Sequence, residues 1–241
     1  MAEPEGASRR PPAGAGGAAA RAALAILAGG RGLRMGGTCK SLLRVNGVRV
    51  IDRQLAIAEP LFDRIVLVTS APEPELLALG WPVIPDRMGP MQGPAAGLDA
   101  ALAWLPEELA AVVCVAADMP FLSGPLLARL SDHPAGRSLV PRHAGGVEPL
   151  CARYARSAAD GIRAFVRASD DQTGTRALRD LVRAIDPDYL EEPGLSELAP
   201  QLDAFINLNR PSDLARAEAV AAARHSGPED GPRRGLVTER H

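Results

Sequence analysis

Unbroken apolar runs alternate with amphipathic stretches through the first half of the chain. Residues 22–28 (AALAILA) predict a short buried strand, 50–58 part of a helix, 65–69 (IVLVT) a second strand and 81–84 a weaker third. Residues 95–104 read as a helix with Pro94 at its start, where the missing proline N–H leaves no bond unmade. Residues 111–116 (AVVCVA) are the clearest strand, because a run without polar alternation suits a sheet covered on both faces. After Leu130 the pattern is less regular: 150–154 and 204–208 read as strands, and 158–166, 176–183 and 212–223 as helices. Strands alternating with helices imply βαβ units, hence an α/β fold with a mostly parallel, twisted sheet and helices on both faces.

Composition divides the chain further. Residues 1–20 are rich in Gly, Ala and Pro and predict a disordered leader, with 225–241 as a matching flexible tail. Between them, 21–224 reads as a single domain. Of the 241 residues, 46% are hydrophobic and 23% charged, an ordinary balance for a globular chain. The net charge of −2 argues against a nucleic-acid or anionic-membrane surface. No segment approaches the roughly 20 apolar residues of a membrane span. Cys39, Cys114 and Cys151 lie far apart without a CxxC pair, which speaks against a disulfide scaffold or a zinc site and for a reducing cytoplasm.

Candidate chemistry begins where the first strand ends. Residues 27–43 read LAGGRGLRMGGTCKSLL, with Gly29, Gly30, Gly32, Gly36 and Gly37 interleaved with Arg31, Arg34 and Lys40. Glycines let backbone N–H groups approach phosphate oxygens closely, and the cations offset phosphate charge. Two familiar phosphate loops fail on spacing. A Walker A loop needs Gly before Lys-Ser, where Cys39 stands, and a dinucleotide fingerprint from Gly30 needs Gly at Met35. The remaining prediction is a phosphate cradle of another kind. A second candidate is Asp118, just beyond the clearest strand, where ligands of α/β sheets bind and where a hard carboxylate suits Mg²⁺.

The loop pattern LAGGxGxRMGG, with a lysine shortly after it, resembles the signature of the molybdenum cofactor guanylyltransferases (MobA) within the nucleotidyltransferases. The similarity continues through GPAAGLDAAL (93–102), AADMPFL (116–122), VEPLCARY (147–154) and FINLNRPSDL (205–214), in the family's order. It implies a three-layer Rossmann-like fold, with a nucleotide-binding half at about 21–130 and an acceptor half at about 131–224. It further implies GMP transfer from GTP to the terminal phosphate of molybdopterin, with Mg²⁺ as cofactor and pyrophosphate as product. Transient contacts with cofactor-synthesis or molybdoenzyme-maturation proteins would follow.

Carried over residue by residue, the resemblance makes Arg34, Lys40 and Asp118 catalytic, with Asp118 also the metal carboxylate. Leu27, Ala28, Gly29, Gly30, Lys40, Thr69, Asp86, Gly93 and Asp118 would bind nucleotide. Glu148, with His143 near it, and Asn207 would face the acceptor or support the site, while Asn209 or Ser212 would cap the final helix. Arg163, Arg167, Arg176, Arg179 and Arg183 read as a solvated helix face that could dock an anionic partner. The chain departs from the family pattern at Cys39, where an Asp is usual, and at Thr69, where an Asn is common. Alternative activities are cytidylyl transfer to the same or another small phosphorylated acceptor, and GTP sensing without catalysis.

Overall fold

A computed structural model of the chain describes residues 22–29, 39–86, 93–168 and 175–225. The expected leader, the expected tail beyond 225, and the loop residues Gly30 and Arg34 lie outside the described residues.

The chain opens with β1 (Ala22–Leu27) and resumes at a 3-10 turn over Lys40–Leu42. A hairpin of β2 (Arg44–Val45) and β3 (Val48–Arg49) leads into α1 (Val50–Ala58). Then follow β4 (Ile65–Val68), α2 (Pro74–Leu77), β5 (Val83–Ile84), α3 (Gly93–Trp104) and β6 (Ala111–Ala116). The second half runs α4 (Gly124–Ser131), β7 (Leu139–His143), β8 (Gly146–Val147) and β9 (Cys151–Ala155). It continues through α5 (Ala159–Ala168), α6 (Thr175–Ile185), β10 (Asp188–Leu190), α7 (Gly194–Leu198) and α8 (Pro211–His225).

The main sheet has the order β10-β7-β9-β6-β1-β4-β5, with β8 paired to β7 alone. Strand β1 lies parallel to both β4 and β6, while β9 runs antiparallel to its neighbours β6 and β7. The sheet is therefore mixed but mostly parallel, as expected. Register aligns Leu27 with Val68 on one side and Ala116 on the other. Three strand ends thus share one rim, the carboxyl rim where α/β sheets bind ligands.

Alternation along the central strands divides their side chains between two cores. Ala22, Leu24 and Ile26 pack with Ile51, Leu55, Leu126 and Leu195 of α1, α4 and α7. Ala23, Ala25 and Leu27 face the other way, onto Leu98 and Leu102 of α3 and Leu178 and Leu181 of α6. This is the three-layer arrangement that the continuous apolar runs predicted. Gly97 lets α3 sit close: a Cβ there would lie 3.2 Å from a methyl of Leu27.

Residues 204–208 do not form the expected strand. They comprise the end of a 3-10 turn (Pro200–Phe205) and an extended segment outside the sheet. Ile206 and Leu208 alternate with Asn207 and Asn209, the period of a half-buried strand, but their apolar side enters a small third core. That core includes Val45, Phe121 and, from α8, Ala217 and Ala221. The Leu208 N–H donates to the Asp118 carbonyl at 3.0 Å, which takes the place of a strand partner.

The sequence reading also passed over the β2–β3 hairpin. Asn46 and Gly47 adopt φ of 49° and 74°, the left-handed pair of a two-residue turn, and Asn-Gly between short apolar stretches is its signal. Helix α4 went unread despite Ser123, whose hydroxyl accepts the Leu126 N–H at 3.3 Å as an N-cap. Strands β7 and β10 were missed because Pro141, Arg142 and Asp188 interrupt their apolar pattern.

Candidate active site

Lys40 and Asp118, 78 positions apart in the chain, meet at the carboxyl rim. The Lys40 Nζ donates to Asp118 Oδ2 at 2.8 Å and to Asn209 Oδ1 at 2.5 Å. Their side chains are 24% and 13% exposed, so the pair is partly withdrawn from water yet open to a ligand. Lys40 is oriented by its turn, in which the Leu43 N–H donates to the Lys40 carbonyl and Ser41 is buried beside it. The Cys39 thiol lies 3.0 Å from the Ser41 hydroxyl.

Several anchors hold the loop that carries Asp118. The Ala117 N–H donates to the Leu27 carbonyl at 3.1 Å, tying the end of β6 to the end of β1. Leu208 holds Asp118 itself from the opposite side. Gln54, fully buried on α1, donates from Nε2 to the carbonyls of Ala116 (2.8 Å) and Met119 (3.0 Å). Sequence reasoning missed Gln54; a lone amide among the buried positions of an amphipathic helix was the available signal.

The other expected nucleotide residues line the same rim. Ala28 continues from β1, its N–H donating to the Val68 carbonyl, and Gly29 follows. The Asp86 carboxylate stands 3.9 Å from where a Gly29 Cβ would lie. Gly93 opens α3. Thr69 is buried at the end of β4, and its hydroxyl oxygen accepts the Ala71 N–H in a local turn.

In the half expected to hold the acceptor, Glu148 Oε1 lies 2.9 Å from His143 Nε2. The Gly145 N–H donates to His143 Nδ1, so in the neutral ring Nε2 carries the proton toward the carboxylate. His143 also stacks on Phe205 with ring centroids 5.4 Å apart. Burial raises the Glu148 carboxyl above the usual range, against the opposing pull of His143 and Arg179. Asn207, expected to face the acceptor or support the site, donates its amide to the Phe205 carbonyl at 2.9 Å. Asn209, expected to be structural, is the amide that meets Lys40. The cap at α8 falls to Asp213, whose carboxylate accepts the N–H groups of Asn209 and Arg210.

Two of the expected helix arginines are engaged with carboxylates, and the side chain of Arg176 lies outside the described residues. Arg163 pairs with buried Asp99 at 3.3 Å, Arg183 pairs with Asp180, and Arg179 covers Gly146. The three thiols are free, and burial pushes Cys114 far up and Cys151 up to about 12. Among the described residues no helix is long and apolar enough to cross a membrane.

Asp118 and Asn209 already hold one cation, the Lys40 ammonium, between two hard oxygens. That donor chemistry fits a divalent ion such as Mg²⁺, which takes one or two carboxylates and fills its shell with water and substrate phosphates. Among the described residues no cluster of three or more His, Cys, Asp or Glu could form an all-protein cage.

A mostly parallel three-layer sheet with a lysine–carboxylate pair at its carboxyl rim is the arrangement of a nucleotidyltransferase. The chain belongs to the MobA-like NTP transferase family, whose domain model matches residues 24–187. It is 32% identical over 197 residues to the molybdenum cofactor guanylyltransferase of Cereibacter sphaeroides, covering 81% of this chain and 94% of that one. Among solved structures it resembles the molybdopterin-guanine dinucleotide biosynthesis protein A of Archaeoglobus fulgidus, with TM-score 0.65, 29% identity, and coverage of 83% and 98%. It shares its fold with the manganese complex of Rv0371c from Mycobacterium tuberculosis H37Rv, with TM-score 0.59, 20% identity, and coverage of 83% and 98%.

Proposed function

We propose that this nucleotidyltransferase moves GMP from GTP to the terminal phosphate of molybdenum-loaded molybdopterin and releases pyrophosphate. The observation that carries the proposal is the convergence of Lys40, Asp118 and Asn209 at the rim, in a chain 32% identical to a molybdenum cofactor guanylyltransferase. Lys40 neutralises the triphosphate, together with backbone N–H groups from Gly29 onward and Arg34. Asp86, Gly93 and Thr69 border the nucleoside, and Glu148 with His143 orients the acceptor.

Asp118, with Asn209 beside it, would hold a divalent ion, Mg²⁺ in the cell; when bound, such an ion offsets phosphate charge and polarises the phosphoryl oxygens. The chain's own contribution is alignment and charge neutralisation, which need no nucleophilic side chain. Free, deeply buried Cys114 and Cys151 are consistent with a reducing cytoplasm. Outward-facing arginines such as Arg167 and Arg179 are available to cofactor-synthesis or molybdoenzyme-maturation proteins.

Purified protein supplied with Mg²⁺, molybdenum-loaded molybdopterin and α-labelled GTP or CTP tests the proposal. Incorporation of GMP with equimolar pyrophosphate is expected. Incorporation of CMP alone, or GTP binding without pyrophosphate release, overturns it.

A further inference from the structure

Two observations at the rim bear on how the site is loaded. Lys40 Nζ is held simultaneously by Asp118 Oδ2 at 2.8 Å and Asn209 Oδ1 at 2.5 Å. Asp118 is also the one carboxylate ion-paired with Lys40 among the described residues, and the neighbouring Cys39 thiol lies against Ser41. The ammonium therefore takes the two oxygens best suited to a hard cation. A lone carboxylate, 13% exposed, cannot neutralise both an ammonium and a divalent ion, and their mutual repulsion is poorly screened there.

Resting on the assignment of Asp118 as the metal carboxylate, we propose that Lys40 and the divalent cation compete for the Asp118–Asn209 oxygens. Nucleotide phosphates decide that competition by drawing Lys40 onto themselves. Lys40 thus has two opposed effects: it strengthens nucleotide binding and weakens metal binding when nucleotide is absent. Metal and nucleotide consequently enter as a cooperative pair, each raising the affinity for the other by the same factor. Lys40 is anchored on a tight turn while its side chain has four rotatable bonds, so the exchange requires side-chain rotation and leaves the sheet rim unmoved.

Manganese binding, followed through the electron paramagnetic resonance signal of the free ion, tests this without turnover. The intact protein is titrated with manganese alone, and again with a non-hydrolysable GTP analogue after subtracting the manganese held by the analogue itself. Lys40→Met and Lys40→Arg are titrated with manganese alone. Lys40→Met is expected to bind manganese about tenfold more tightly than the parent, within the usual range of coupling between sites. Lys40→Arg, which keeps the charge, stays as weak as the parent, while tighter binding by Lys40→Met, close to lysine in length but uncharged, is an outcome that a purely steric role would not give. Equal or weaker manganese binding by Lys40→Met overturns the competition, as does parent affinity that ignores the analogue. Asp118→Asn separates the two levels. If that variant keeps the parent's affinity in the presence of the analogue, the metal assignment fails; if it loses affinity while Lys40→Met is unchanged, the competition alone fails.

Discussion

Gln54 illustrates how much of the site depends on a residue that never reaches its surface. Its amide holds the carbonyls on both sides of the Asp118 turn, at Ala116 and Met119. Gln54→Leu strands two buried acceptors and should cost about 2 kcal/mol, measurable by urea unfolding. The same variant should lower kcat more than the KM for GTP, because Asp118 loses its alignment while Lys40 is untouched. Asp188 provides a pH signature elsewhere. Hydrogen bonds from Arg137 and His133 lower its carboxyl to about 2. A carboxyl lowered by folding adds stability above its unfolded value and surrenders it as pH falls toward the folded one. The parent should therefore lose thermal stability between about pH 4 and pH 2 more steeply than Asp188→Asn. Lys40 and Asp118 were legible from loop composition, strand position and family blocks. That Asn209 is the amide meeting Lys40 was not, because Asn207 and Asn209 both occupy the polar phase of one alternation. Which amide meets Lys40 depends on how 206–209 crosses the rim, a tertiary fact.

At the scale of elements, the most legible were those whose pattern has one structural solution. Strands β1 and β6 are apolar throughout because helices cover both faces, and the sequence reading matched α1 at both ends. Residues 204–208 misled because a segment docked in a groove shows the same alternation as a strand on a sheet. Strands β7 and β10 stayed hidden because polar residues can occupy the rim of a sheet at little cost. Two turn and packing positions are open to test. Gly47→Val forces a β-branched residue to φ 74° and should cost at least about 1 kcal/mol, with no change in secondary structure by circular dichroism. Gly97→Val drives methyls toward Leu27 and Val68, and overpacking of this kind costs about 1–3 kcal/mol. Since Leu27 ends the strand that enters the glycine loop, this second variant should also weaken GTP binding in calorimetry.

For the molecule as a whole, the sheet separates two chemical environments for its thiols. Cys114 and Cys151 are buried in opposite cores, whereas Cys39 is partly exposed at the rim. A thiol reagent should label Cys39 alone in the native protein, with GTP slowing the reaction, and label all three in urea; native labelling of Cys114 would contradict the packing described. Fold class and layer arrangement were legible because they follow from strand–helix alternation. The order of β7, β9 and β10 was not, since antiparallel β9 breaks the simple repeat.

Helix α8 has a consequence for how the protein is made. Its Glu218 accepts the Asn46 N–H of the hairpin that follows Lys40, and the segment leading into it supplies Leu208 and Asn209 to the rim. On the ribosome, Lys40 and Asp118 emerge long before these partners. A nascent chain can lay down the central strands early, but the clasp across the rim closes only after α8 has been translated. The proposed nucleotide site is therefore completed only once α8 has emerged, when little of the described fold remains to be assembled.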